Sequence, residues 1–218
     1  RLDYLDRVDI YEYDVIIFPH GSKSKYKSML GDKGIERLKN WINEGGTFIG
    51  IKGGMAFAAA EDVELTTSRQ LGVEKKKKEK GGEEEVPEKK KEGEMPPGEK
   101  EMEEVEYTPG SILRVKLNTD YYLAFGYEDE VPVHIYSNLL FTKSKTGANV
   151  GVFAENGIRL SGFVWEEAER AFAGKAYLID EPMGKGHVIL FADDPIFRLY
   201  WRALDRLFLN SIFLSGSF

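Results

Sequence analysis

Gly50-Ile51-Lys52-Gly53-Gly54 is where residue types and spacing in this 218-residue chain combine into a reactive geometry. The segment joins an apolar run to a short apolar helix. Small residues on either side of Lys52 permit a sharp turn that lifts one side chain above a sheet, with backbone N–H groups nearby to stabilise an oxyanion. The side chain lifted here is an amine. A desolvated lysine with a partner base is a nucleophile, whereas a lysine paired with a carboxylate is a structural ion, and spacing alone leaves both open. Asp193 and Asp194 are the carboxylates placed to decide between them, because they follow an apolar strand and precede a helix that either can also cap. His20, with Gly21, ends the first apolar strand and is the one histidine of three with a site role open to it; a solvent-facing turn residue is the other reading. His134 and His187 fall inside strands and read as packing or surface residues.

Residues 14–18 (DVIIF) form a continuous apolar run ending at Pro19, His20 and Gly21, as expected of a strand buried on both faces. From Asp32 to Glu44 the apolar positions Ile35, Leu38, Trp41 and Ile42 recur at helical spacing, with Asp32 as cap and Gly45-Gly46 as stop. Residues 47–51 (TFIGI) are a second apolar strand, so the order strand, helix, strand predicts a parallel right-handed crossover. A short helix over 55–60 follows. Strands are predicted over 111–117, 131–136, 150–154, 175–179 and 186–192, with a brief helix over 165–173. A long helix is predicted over 195–213, started by Asp194 and Pro195. Tyr121, Tyr122, Phe125 and Tyr127 cluster beside Glu128, Asp129 and Glu130, either as a ligand surface or as a loop folded onto the domain by its aromatics.

The chain carries 30 Lys and Arg against 37 Asp and Glu, a net charge of −7 that offers no uniform basic field for a polyphosphate or nucleic acid. Residues 74–106 hold nine Lys and thirteen Glu among 33 positions. So little apolar surface cannot offset ordering entropy, and the stretch reads as a disordered Lys/Glu-rich excursion or a charge-mixed tether. Absence of cysteine excludes disulfides, thiolate-bound zinc, iron–sulfur clusters and a thiol nucleophile. No apolar run reaches the roughly 20 residues of a membrane helix.

Three phrases, DVIIFPHG, WINEGGTFIGIKGG and GKGHVILFADDPIFR, together resemble the class I glutamine amidotransferase-like domain. The stretch from SGFVWEEA through AGKAYLIDEPMGKGHVILFADDP to LFLN is similar to the region after the catalytic domain of some large bacterial zinc carboxypeptidases, relatives of carboxypeptidase A. The resemblance implies a three-layer, flavodoxin-like α/β fold with a mostly parallel sheet between helices. It also implies one domain over 1–218 whose first strand and helix would precede Arg1. On the family's Gly-x-Cys-x-Gly elbow, Lys52 stands in the nucleophile's place; the late His-Pro-Glu motif falls on Asp194-Pro195-Ile196. Lys52, Asp194 and Ile196 are thus vestigial positions, and no catalytic residue, metal ligand or cofactor is expected in this chain. Zinc is expected only in an upstream catalytic domain, since His20, His134 and His187 lack the spacing of a His/Glu site.

The pocket so implied comprises His20, Gly21, Gly50, Lys52, Gly53, Gly54, Asp193 and Asp194, with Lys52 beside Asp194. The expected function is a noncatalytic accessory domain of a zinc carboxypeptidase-like protein, serving structure, assembly or substrate access. The alternatives are a hydrolase or transferase using Lys52, or a small-ligand binding domain. The expected partner is the upstream carboxypeptidase-like domain, with homo-oligomerisation open and neither nucleic acid nor membrane involved. A secreted or periplasmic location follows if the parent is a bacterial carboxypeptidase.

Overall fold

In the computed structural model, residues 8–72 and 107–217 are described, so the Lys/Glu-rich stretch 74–106 lies outside the described residues. β1 (Val15–Phe18), α1 (Lys23–Asn43), β2 (Thr47–Ile51) and α2 (Gly53–Ala58) are followed by the short β3 (Gln70–Leu71). Then come β4 (Ser111–Leu117), β5 (Glu130–Ile135), β6 (Leu140–Phe141), β7 (Ala148–Phe153) and β8 (Arg159–Ser161). α3 (Glu166–Phe172), β9 (Ala176–Met183), β10 (Gly186–Phe191) and α4 (Asp205–Phe213) complete the chain. The main sheet runs β1-β2-β10-β9-β7-β4-β5, with β8 also paired to β4, while β3 and β6 make a separate ladder.

The predicted crossover is present: Val15 lies opposite Thr47 and Phe18 opposite Gly50 in a parallel pair, and α1 connects the two strands. β10 joins β2 in parallel on its other side, with Val188 opposite Phe48. From β10 onward the sheet is antiparallel, through β9, β7, β4 and β5. The fold is therefore α/β with a mixed sheet, and the expectation of a mostly parallel one is corrected. The reason is local. β9 runs on to Met183 and turns back through Gly184-Lys185, with Gly184 at φ +63, and a two-residue link can only make an antiparallel hairpin.

Three boundaries also move. α1 begins at Lys23 on a Ser22 cap rather than at Asp32, because the helix bends at Gly31 (φ 59, ψ 179) and Asp32 opens its second segment. β9 does not stop at residue 179; Asp180 and Glu181, whose charges suggest an end, are buried within it. The predicted helix over 195–213 is broken. Arg198 and Leu199 adopt φ 52 and 54, and α4 starts only at Asp205. Phe197 stacks on His134 with ring centroids 4.4 Å apart, and Trp201 Nε1 donates to Pro132 O over β5. Seating both aromatics on β5 bends the chain away from a straight helix.

The sheet has a cover on each face. Phe18 and Phe48 pack against Tyr26 of α1 and Phe57 of α2. Phe191 lies opposite Ile51, three residues beyond Phe48, so strand alternation turns it to the other face, where it meets Phe208 of α4. Phe153 links Tyr177 to Phe172 of α3. β1 forms the outer edge, with Tyr11, Tyr13 and Ile17 exposed beside it. Among the described residues no helix is long and apolar enough to cross a membrane.

Candidate functional site

The turn after β2 is built as an elbow. Lys52 has φ 53 and ψ −101, a conformation costly for any residue with a side chain, and its N–H donates to Phe191 O at 2.7 Å. α2 starts immediately behind it, with Ala56 N bonded to Lys52 O. Gly53 and Gly54 are required by space rather than by φ. A Cβ on Gly53 would lie 1.9 Å from Gly21 O, and one on Gly54 would lie 2.2 Å from Phe18 O. Gly53→Ala is therefore expected to cost about 2–3 kcal/mol through overpacking against rigid backbone, read as a lower urea midpoint.

The lifted side chain is not free. Lys52 Nζ lies 3.2 Å from Asp193 Oδ1, and the two side chains are only 4% and 1% exposed. The ring of Tyr136 closes over the ammonium, 3.2 Å from nitrogen to centroid. Asp193 in turn accepts from Ser137 Oγ at 2.9 Å, from Tyr136 N and from Asp194 N. The expected Lys52–Asp194 pair is corrected by one residue. Consecutive side chains leaving β10 alternate, and Asp193 turns inward while Asp194 accepts from Ile196 N as a turn cap. Ile196 brings nothing else to this site.

His20 sits at the rim, exposed, with Gly21 packed on the elbow. Partial burial lowers its pKa and the Lys52 charge lowers it further, against the opposing pull of Asp193 and Asp194. His134 is likewise lowered, first by burial, and it lies under Phe197 and beside Tyr136. Burial pushes the Tyr136 phenol up to about 12, helped by Asp193 and Asp194. Tyr136 and Ser137 were beyond the reach of sequence reasoning, for nothing in HIYSN announces a lid for a lysine on another strand.

Two further polar centres lie on β9. Asp180, fully buried, accepts from Tyr122 Oη at 2.6 Å and Tyr121 Oη at 3.0 Å, and lies 3.0 Å from His187 Nδ1. Burial and then the Asp180 charge push both phenols upward. Tyr127 Oη donates to Ala203 O, whereas Phe125 is exposed. Three of the four clustered aromatics thus fold their loop onto the domain. Glu181 faces the opposite way and is caged by hydroxyls: Thr66 Oγ1 and Ser144 Oγ donate to Oε2 at 2.7 Å, and Thr146 Oγ1 donates to Oε1 at 2.8 Å. Thr67 N adds a bond at 2.9 Å. Two adjacent carboxylates inside an apolar strand were the available signal for these centres, and their alternation sends one to each face.

Residues 11–79 match the family model "Biotin-protein ligase, N terminal". The match covers the first strand, helix and elbow, two of the three phrases on which the amidotransferase resemblance rested, and it corrects that resemblance together with the expected role as a carboxypeptidase accessory domain. No curated protein sequence matches the chain. Among solved structures, a putative ThuA-like protein from Parabacteroides merdae aligns with TM-score 0.58 at 9% identity, over 96% of this chain and 72% of that one. The cytoplasmic protein STM3548 from Salmonella typhimurium aligns with TM-score 0.48 at 12% identity, over 97% and 74%. A β-galactosidase from Bacillus circulans sp. alkalophilus aligns with TM-score 0.47 at 14% identity, over 96% of this chain but 23% of its own length. At 9% identity the first of these shows a shared fold alone.

Proposed function

We propose that this chain is a noncatalytic module related to the N-terminal part of biotin-protein ligases, in which the elbow carries a structural ion pair in place of a nucleophile. The observation that carries this reading is the closure of Lys52 between Asp193 and the Tyr136 ring. With the Asp193 carboxylate on one side, the Tyr136 face on the other and the side chain only 4% exposed, the amine has no open approach for an acyl or carbonyl carbon. The family match over residues 11–79 supports the kinship, since it spans the elbow. The crossover through β1, α1 and β2, with covers on both faces, supports a three-layer arrangement that is flavodoxin-like in its parallel part and departs from it beyond β10.

The test is chemical. The intact chain is treated with an acetylating N-hydroxysuccinimide ester and mapped by mass spectrometry, using Lys116, whose side chain is 64% exposed, as the internal standard. Lys52 is expected to stay unmodified while Lys116 reacts. In parallel, the chain with biotin and MgATP is expected to form no biotinyl adenylate. Faster labelling at Lys52 than at Lys116, or adenylate formation, would overturn the noncatalytic reading.

A further inference from the structure

Away from the elbow, beside the Glu181 cage, lies a cavity of about 380 Å³ whose charged lining residues are Glu64, Arg69, Lys145 and Glu181. That volume falls in the usual range for a small-molecule pocket. Two cations and two anions share the space, yet among the described residues none of the four makes an ion pair. They line one cavity without neutralising one another.

Each is held in a distinct way. Glu181 is 6% exposed and its oxygens are occupied by hydroxyls and an N–H, so it contributes a fixed negative field rather than an open acceptor. Arg69 Nη1 donates to Thr66 O and Ser68 O, which anchors the guanidinium and leaves its other N–H groups for a ligand. Glu64 stands at the rim with φ 51, a left-handed conformation that ordinarily favours glycine. Leu65 and Met183 add apolar wall. Glu64, Arg69 and Lys145 are exposed and only Glu181 is buried, so charges of both signs open toward a ligand, and a simple anion or amine would meet only one of the two signs. A molecule carrying both charges a few ångströms apart, with a short aliphatic body, answers both.

We propose that this cavity binds a zwitterion of amino-acid size, its carboxylate at Arg69 and Lys145, its ammonium at Glu64 over the field of Glu181, and its side chain against Leu65 and Met183. The site is separate from the elbow, so it stands or falls independently of the noncatalytic reading.

The experiment is a titration of the 15N-labelled full chain with L-leucine, L-serine and L-glutamate, alongside 3-methylbutylamine and 4-methylpentanoate, which keep the leucine body but only one charge each. L-leucine is expected to give saturable shifts in the amide signals of residues 64–69 and 145–147, and each single-charge analogue to bind about tenfold more weakly or worse. Arg69→Gln is expected to abolish the leucine response. Because Arg69 also holds backbone carbonyls, Lys145→Gln, at an exposed position, serves as the second variant and is expected to weaken binding without moving the midpoint of unfolding. Absence of saturable shifts with all three amino acids would overturn the proposal. So would equal binding of 4-methylpentanoate, which would mark a plain anion site, or a leucine response unchanged in both variants.

Discussion

Replacing Lys52 with Met lowers the free energy of unfolding by about 3–5 kcal/mol, the magnitude expected when one partner of a buried ion pair is removed and the other charge is stranded. Methionine is likewise unbranched, one atom shorter, and inherits the same left-handed backbone, so the strain at φ 53 is unchanged and the loss reports mainly on charge. Asp193 would retain Ser137 Oγ and two backbone N–H groups, which solvate a carboxylate without neutralising it. Adding Asp193→Asn to Lys52→Met removes the stranded charge, and the double variant is expected to be more stable than Lys52→Met alone. Urea unfolding with unchanged m-values checks both. A Lys52→Met variant within about 1 kcal/mol of wild type would mean that the pair does not hold the elbow closed.

The second large effect is expected at Glu181. Its carboxylate ties the loops of Thr66-Thr67 and Ser144–Thr146 to β9, and charge-assisted hydrogen bonds of this kind contribute more than neutral ones. Glu181→Gln places an NH2 group against hydroxyl donors and is expected to cost about 3 kcal/mol near neutral pH. The loss carries a pH signature. Burial raises the Glu181 pKa, but the bonds from Ser144, Thr66, Thr146 and Thr67 outweigh it and hold the carboxyl below its ordinary value of 4.5. A group whose folded pKa is depressed stabilises the protein fully above its unfolded value, and that contribution disappears as pH falls through the folded value. Wild type and Glu181→Gln should therefore differ most above about pH 5 and converge in more acidic solution. A difference independent of pH would place the effect in shape rather than in charge.

Sequence periodicity located much of what surrounds the elbow. The apolar runs of β1, β2 and β10 and the 3.6-residue stripe of α1 were visible because each buries a face with a local repeat. Boundaries failed where a local rule met a tertiary demand. Asp180 and Glu181 looked like a strand end because charges avoid cores, yet both are buried because Tyr121, Tyr122, Thr66 and Ser144 wait for them on opposite faces. The helix expected over 195–213 had good spacing, but His134 and Pro132 draw Phe197 and Trp201 out of register with it. The family resemblance rested on apolar strand and turn phrases, which recur wherever a buried strand meets a glycine-rich turn.

By itself the sequence determined an α/β chain, a parallel crossover leading into a sharp turn, and a lysine at that turn's apex, since all three follow from neighbours within a few residues. Tertiary structure decided the antiparallel half of the sheet, the choice of Asp193 over Asp194, the Tyr136 ring above Lys52 and the hydroxyl cage of Glu181. Those contacts join residues far apart in the chain, 115 positions in the case of Thr66 and Glu181. No spacing rule spans such distances. Which partner a buried charge acquires is set by the face to which strand alternation turns it and by the loop that packing delivers there, and both exist only once the sheet has assembled.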